Sequence, residues 1–250
     1  MPKIATWNVN GLRAVLAKDA LTWIHDFDII GLQESKLSFN LEDNLLGYQA
    51  YYSLAQKKGY SGVVVLTKQL PREIENCFST TNYKDNEGRI LKLNYENFLL
   101  YNIYFPNGKK DSLRLAFKLD FYRHFLEEMQ NVLKNQQKVI VMGDFNTAHQ
   151  PIDLARPKEN ESVSGFLPQE RQLIDEIIKL GFIDCFRHFT SEPNWYTWWH
   201  LRTGARKRNS GWRIDYLMVS QALTSQLENS TIHNNILGSD HCPVSISLTI

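Results

Sequence analysis

The segment Val139-Ile140-Val141-Met142-Gly143-Asp144-Phe145-Asn146-Thr147 restricts the fold more than any other. Four apolar residues in succession, rich in β-branched types, read as a strand buried on both faces. The run stops at a glycine and delivers Asp144 and Asn146 in quick succession. Side chains alternate along an extended chain, so an acid and an amide two residues apart leave the buried strand side by side. The ends of buried strands are where α/β enzymes build their sites. Taken alone, Asp and Asn after a strand are ordinary turn residues. The functional reading gains weight because the same design recurs along the chain.

Ile4-Ala5-Thr6-Trp7-Asn8-Val9-Asn10-Gly11 begins as a strand and closes on two asparagines. Residues 14–26 are expected as a helix, and Phe27 to Glu34 as a second buried strand ending in an acid. Further strands are expected at 47–53, 60–66, 89–94 and 98–104, the last leaving through Tyr104-Phe105-Pro106-Asn107-Gly108. Asp111 to Asn135 is the clearest helix, with Leu115, Leu119, Tyr122, Leu126, Met129 and Leu133 forming an apolar stripe. A long loop from 148 to 167 precedes a helix that begins at Pro168 and stops at Gly181. Strands are expected again at 212–219 and 244–250. The order strand, Asn, helix, strand, acid occurs twice, from Ile4 to Glu34 and from Leu99 to Asp144. Two similar halves, each with a sheet, then pack face to face with helices outside. Residues 1–250 read as one domain, with no low-complexity segment or linker.

Composition narrows the partners. With a net charge of +1, 43% hydrophobic and 22% charged residues, the chain is of ordinary globular type, and an anionic partner must be met by local charge. Cys77, Cys185 and Cys242 are scattered, as expected for reduced thiols in a cytoplasmic setting. No apolar run reaches transmembrane length, so no membrane partner is expected. A monomer is the default expectation.

The polar strand ends are Asn8, Asn10, Glu34, Tyr104, Asp144, Asn146, Asp215, Asp240 and His241. Nearly all are oxygen donors, which suits Mg²⁺ or Mn²⁺ rather than zinc. There is no Gly-x-Ser-x-Gly elbow and no Walker-type loop, so metal-assisted attack of water on a phosphodiester fits best. Each residue singly is better read as a surface charge, a turn or a core group. All of them together, at the ends of apolar strands, are not.

Six motifs occur in order: Trp7-Asn8-Val9-Asn10-Gly11-Leu12-Arg13-Ala14, Leu32-Gln33-Glu34-Ser35-Lys36, Tyr104-Phe105-Pro106-Asn107, Gly143-Asp144-Phe145-Asn146, Gly211-Trp212-Arg213-Ile214-Asp215-Tyr216 and Gly238-Ser239-Asp240-His241-Cys242-Pro243. Across residues 4–250 they resemble the exonuclease III branch of AP endonucleases, in the endonuclease/exonuclease/phosphatase superfamily. The resemblance implies a four-layered α/β sandwich, two mixed β-sheets packed face to face and flanked by helices. It implies a metal held by Glu34, with Asn8, Asn10, Asp240 and Asp144 near it and Asn146 and His241 beside them. Asp144 would orient and deprotonate the attacking water, and Asn146 would bond that water or the phosphorane. His241 would bind a phosphate oxygen, with Asp215 fixing its tautomer, and Tyr104 would contact the phosphate. Many members carry Asp where this chain has Asn10, which implies weaker metal affinity.

The same resemblance implies double-stranded DNA with abasic sites or blocked 3′ ends as substrate. Trp198, Trp212 and Ile214 match an apolar pocket for an extruded sugar. Lys36, Lys57, Lys58, Tyr60, Lys109, Lys110, Arg202 and Arg206 are candidates for gripping phosphates. The expected activity is Mg²⁺-dependent incision 5′ of an abasic site in base excision repair, with 3′→5′ exonuclease and 3′-phosphodiesterase or phosphatase activity. The alternatives are an inositol-phosphate or sphingomyelin phosphoesterase, and a DNA-binding protein with a decayed site.

Overall fold

A computed structural model describes residues 2–81, 83–135, 137–201 and 204–249. The first half runs β1 (Lys3–Asn8), α1 (Leu12–Leu16), β2 (Ile29–Gln33), β3 (Asn44–Leu45), β4 (Tyr48–Ser53) and β5 (Val63–Thr67). Next come β6 (Glu73–Glu75), β7 (Ile90–Asn94), β8 (Leu99–Tyr104), α2 (Ser112–Lys134) and β9 (Val139–Asp144). The rest is α3 (Pro157–Asn160), α4 (Pro168–Lys179), β10 (Phe182–Asp184), α5 (Cys185–Phe189), β11 (Asp215–Ser220), β12 (Leu227–Ile232) and β13 (Val244–Leu248).

The strands form two mixed sheets, in the orders β12-β13-β1-β2-β5-β4-β3 and β10-β11-β9-β8-β7-β6. The expected internal echo is present. β1 and β2 pair in parallel across a helical crossover, and β8 and β9 do the same across α2. Alternation along each strand sorts the apolar side chains into layers. Ile4, Ile29, Val63, Leu100, Ile140, Met142, Leu217 and Ile246 fill the space between the sheets. Ala5, Trp7, Ile30, Leu32 and Val64 face the other way, against Leu12, Val15 and Ile24. Tyr101, Ile103, Val139, Val141 and Met218 face Phe121, Phe125, Met129, Ile174 and Ile177 of α2 and α4. This is the four-layered sandwich.

Two expectations need correction. The helix expected over 14–26 is only α1, followed by a 3₁₀ turn at Thr22–Asp26; Asp19 between them has a left-handed φ of 51°. The buried face of α2 is Lys118, Phe121, Tyr122, Phe125, Glu128, Met129 and Val132, one position away from the leucine stripe. Leu119, Leu126 and Leu133 lie at its margin, partly buried. Two buried charges set that face. Glu128 accepts from Tyr101 and from the Thr80 backbone at 2.9 Å each, and Lys118 meets Glu170 at 2.6 Å.

The sheets approach closely where β2 crosses β8. A Cβ on Gly31 would stand 2.8 Å from Asn102 Oδ1 and overlap Met142. Asn102 in turn donates to Val64 O at 2.9 Å and accepts from Gln33 at 2.6 Å. A bonded polar plug thus fixes the register of the two sheets just below their polar strand ends.

Candidate active site

The alternation that builds the core also aims the polar strand ends. Asn8 shares a face with Ile4, Asp144 with Ile140 and Met142, and Asp215 with Leu217, so all three point between the sheets. Tyr104, Asp144 and Asp215 lie opposite one another on β8, β9 and β11, forming one row across the second sheet. Asn8 reaches across from the first sheet and donates to Asp144 Oδ2 at 2.8 Å. Glu34 would face outward by the same alternation, but its φ of 55° breaks the pattern and turns it into the cleft. Asn10 and Asn146 are also left-handed, at 49° and 50°. Such conformations concentrate where a site overrides local preference.

Together these residues line one cavity of about 240 Å³: Asn8, Asn10, Glu34, Tyr104, Asp144, Asn146, Trp198, Trp212, Ile214, Asp240 and His241, joined by Asn107, Lys109 and Gly165. Asp215 sits behind His241. The cleft therefore collects the expected catalytic and metal residues and the three expected pocket residues. Lys36 lies at its edge, where its ammonium bonds Asn10 Oδ1 and pairs with Glu34 Oε1 at 3.2 Å. Tyr60 and Lys110 fall in an adjoining groove with Lys57, Glu87, Arg89 and Arg114; Tyr60 Oη accepts from Arg114 at 3.0 Å. Arg206 is a structural clamp instead, donating to the carbonyls of Ser239, Asn234 and Ile236. Arg202 lies outside the described residues.

Asp144 is fixed from three sides. It accepts from Asn8, from the Asn146 backbone N–H at 2.8 Å and from Asn146 Nδ2 at 3.3 Å. His241 Nδ1 meets Asp215 Oδ2 at 2.8 Å, and Nε2 stands 3.9 Å from Asp144 Oδ2. Burial and then the Asp215 charge push Asp144 up to about 7, against the pull of His241 and the amides. Burial alone would lower His241, but the Asp215 charge and hydrogen bond, with Asp144 and Asp240, raise it to about 10. The surrounding carboxylates thus favour the charged ring, and Nε2 is the nitrogen left facing the cavity. Tyr104 stays a neutral phenol, since burial and the Glu34 and Asp144 charges raise its pKa well above 10.

Two acidic groupings could hold a divalent ion. Ligand atoms of Asp144, Asp215 and His241 lie within 4.8 Å of one another. A charged imidazole has no lone pair for a metal, so this grouping takes an ion with His241 neutral and faces an anion with it charged. The second comprises Glu34, Asn10 and Asp240. Asn10 Nδ2 donates to Asp240 Oδ1 at 2.9 Å, and an ammonium, that of Lys36, already rests on Glu34 and Asn10. Oxygen atoms that jointly seat an ammonium fit a hard cation. Asn146 is committed elsewhere: Nδ2 donates to Phe105 O and Oδ1 accepts from Asn107, each at 2.9 Å.

The apolar wall is stitched from three distant segments. Trp198 and Trp212 exchange backbone hydrogen bonds at 2.9 Å, and Trp199 N donates to Asp240 O at 3.0 Å. Trp198 Nε1 holds Asp240 Oδ2 at 3.0 Å. Behind the wall, Lys118 and Glu170, both sealed from solvent, pair at 2.6 Å. Lys118 also donates to Asn146 O at 2.7 Å, and Glu170 Oε2 takes the N–H groups of Gly165 and Leu167. Sequence reasoning did not assign Asn107, Gly165, Lys118 or Glu170 to the site. The Tyr-Phe-Pro-Asn motif contains Asn107; nothing in the sequence marks the buried pair.

The Endonuclease/Exonuclease/phosphatase family model matches residues 5–241. Over 253 residues the chain is 40% identical to an exodeoxyribonuclease of Bacillus subtilis (strain 168), covering 99% of this chain and 100% of that protein. Among solved structures, an AP endonuclease from Archaeoglobus fulgidus superposes with a TM-score of 0.90 at 25% identity over 100% of both chains. A 3′ phosphatase from Neisseria bound to a product DNA hairpin gives 0.91 at 26% identity, again over 100% of both. The chain belongs to the endonuclease/exonuclease/phosphatase family. Within it, the chain is of the exonuclease III type of AP endonuclease.

Proposed function

We propose that this nuclease is a Mg²⁺-dependent AP endonuclease of base excision repair, acting as a monomer on double-stranded DNA. It cuts 5′ of an abasic site, leaving a 3′-hydroxyl and a 5′-deoxyribose phosphate. The same site serves 3′→5′ exonuclease and 3′-phosphodiesterase or phosphatase activity at blocked 3′ ends. The observation that carries this reading is a single small cavity with two unlike walls. One wall is the acid–amide–imidazole row for a phosphate, and the other is Trp198, Trp212 and Ile214 for a sugar without a base.

Asp144 orients the attacking water and takes its proton, a role suited to a base poised near neutrality. Asn8 and Asn146 hold that carboxylate in place. His241 donates Nε2–H to a phosphoryl oxygen, and Asp215 keeps the ring charged. Tyr104, as a phenol, bonds the same phosphate. Glu34, Asn10 and Asp240, with Asn8 close by, would hold the metal. Mg²⁺, or Mn²⁺ in its place, would there neutralise charge on the phosphate and leaving oxygen. The groove with Tyr60 and Lys110, and Lys36 at the rim, would track the DNA backbone.

A labelled duplex carrying a tetrahydrofuran abasic analogue tests this, incubated with Mg²⁺ or with EDTA. Metal-dependent incision 5′ of the analogue is expected. Hydrolysis of soluble phosphoesters alone would overturn the substrate assignment, and tight binding without cutting would overturn the catalytic one.

A further inference from the structure

Lys109 is the only lysine among the described residues that line the cavity. Its Nζ lies 4.9 Å from the centre of the Trp198 ring and 5.0 Å from that of Trp212. The two rings stand at 80° with centroids 6.4 Å apart, forming a corner that the ammonium faces. A sugar packed into that corner meets the Lys109 amine directly. Two hydrogen bonds hold the Lys109 backbone beside the cavity. Asn107 Oδ1 accepts from Lys109 N at 2.8 Å, and Asn107 Nδ2 ties the turn to Asn146.

Lys109 also differs in chemical state from the other lysines nearby. Lys118 is sealed in by Glu170 and the Asn146 carbonyl. Lys36 is tied to Glu34 and Asn10, and Lys110 is turned to solvent, 84% exposed. Lys109 is exposed as a residue and makes no ion pair among the described residues. Crowding by the surrounding protein lowers its pKa from the usual lysine value, against the opposing fields of Glu170 and Asp144. A partly desolvated amine beside apolar rings is the form in which lysine condenses with carbonyls.

An abasic deoxyribose differs from every intact nucleotide in that its ring opens to an aldehyde at C1′. We propose that Lys109 captures that aldehyde as a reversible imine, a covalent activity beside phosphodiester hydrolysis. This rests on the reading of the cavity as a seat for abasic sugars. The neutral amine attacks C1′ and a C–N bond forms. The carbonyl oxygen then leaves as water, carrying both amine hydrogens, so neither oxidant nor metal is consumed. The imine holds the lesion in place and separates natural abasic sites from analogues that lack the aldehyde.

Borohydride, which reduces an imine to a stable secondary amine, tests the proposal. The full chain is mixed in EDTA with a duplex bearing a natural abasic site, and in parallel with the tetrahydrofuran analogue. A protein–DNA adduct is expected with the natural site alone, and peptide masses place it on Lys109. Lys109→Arg, which keeps the cation but cannot condense, loses the adduct while its thermal midpoint shows it folded. Lys110→Arg retains the adduct. An adduct of undiminished yield in Lys109→Arg, or one mapped to another lysine, overturns the proposal. Incision of the analogue with Mg²⁺ but no adduct on the natural site overturns the lysine assignment and leaves the substrate reading standing. An adduct without incision of either duplex does the reverse.

Discussion

His241 and Asp215 meet through a 2.8 Å contact between Nδ1 and Oδ2, with 5% of one side chain and none of the other open to solvent. Without that carboxylate, only Asp144 and Asp240 would oppose the burial that disfavours the charged ring. Asp215→Asn is therefore expected to bring the His241 pKa down from about 10 toward its usual 6.5. Ring ¹⁵N and ¹H shifts followed from pH 5 to pH 10 in metal-free protein read this directly. The wild-type ring should stay doubly protonated across neutral pH, and incision by the variant should fall by roughly 10²-fold or more. A variant ring that still titrates near 10 would remove Asp215 from this role.

Asn10 links Asp240 and Lys36 through its amide. Asn10→Asp removes the donor to Asp240 and adds a negative charge. The expected result is tighter metal binding, with the Mn²⁺ midpoint in an electron paramagnetic resonance titration falling by roughly tenfold, about 1.4 kcal/mol. An unchanged midpoint would count against the Glu34–Asn10–Asp240 seat.

At Gly143 the φ is 144°, and a Cβ there would fall inside the carbonyl oxygen of Ile103 on the neighbouring strand. Only glycine lets β9 run this close to β8 while carrying Asp144 into the cleft. Gly143→Ala should lower stability by at least ~3 kcal/mol in urea unfolding. A variant within error of wild type would show that the strands can part there.

Asp153 lies 2.8 Å from Arg213 and 2.7 Å from Arg187, with 1% of its side chain exposed. Burial alone would raise its pKa, but Arg213 and then Arg187 outweigh burial and hold it at about 2. A folded-state value below the ordinary 3.8 stabilises the fold above that pH, and the benefit disappears as pH falls from about 4 to about 2. The contribution is on the order of 2 kcal/mol. Urea midpoints between pH 2 and pH 6 should slope downward with acid in the wild type and much less in Asp153→Asn.

Lys118→Met leaves Glu170 buried without its cation, and loss of one partner of a buried pair costs roughly 3–5 kcal/mol. Pairing it with Glu170→Gln should recover part of the stability. Incision should recover less, because nothing then holds the Asn146 carbonyl. Full recovery of both would make the pair purely structural.

The same pair shows where the sequence stops being legible. Strands β1, β2, β8 and β9 could be read because their apolar runs end abruptly in Asn, Glu or Asp, and those ends became the cleft. On α2 the leucines drew the helix face one position away from the true one. Lys118 and Glu128 are charged, and hydropathy counts charge as exposure, whereas partners from distant segments pay for their burial. Glu34 stands out as the acid that ends a buried strand, but alternation alone would turn it outward, and its left-handed φ brings it in. The short strands β3, β6 and β10 carry two or three residues each, too few for any period to register. Arg206 looked like a phosphate ligand until its carbonyl partners appeared.

The tryptophan wall has a consequence for the chain before it has finished folding. Trp198 pairs with Trp212 and with His241, so the sugar-facing side exists only when three remote stretches have all come home. A copy in which any one of these three stretches has come loose therefore has no closed chamber.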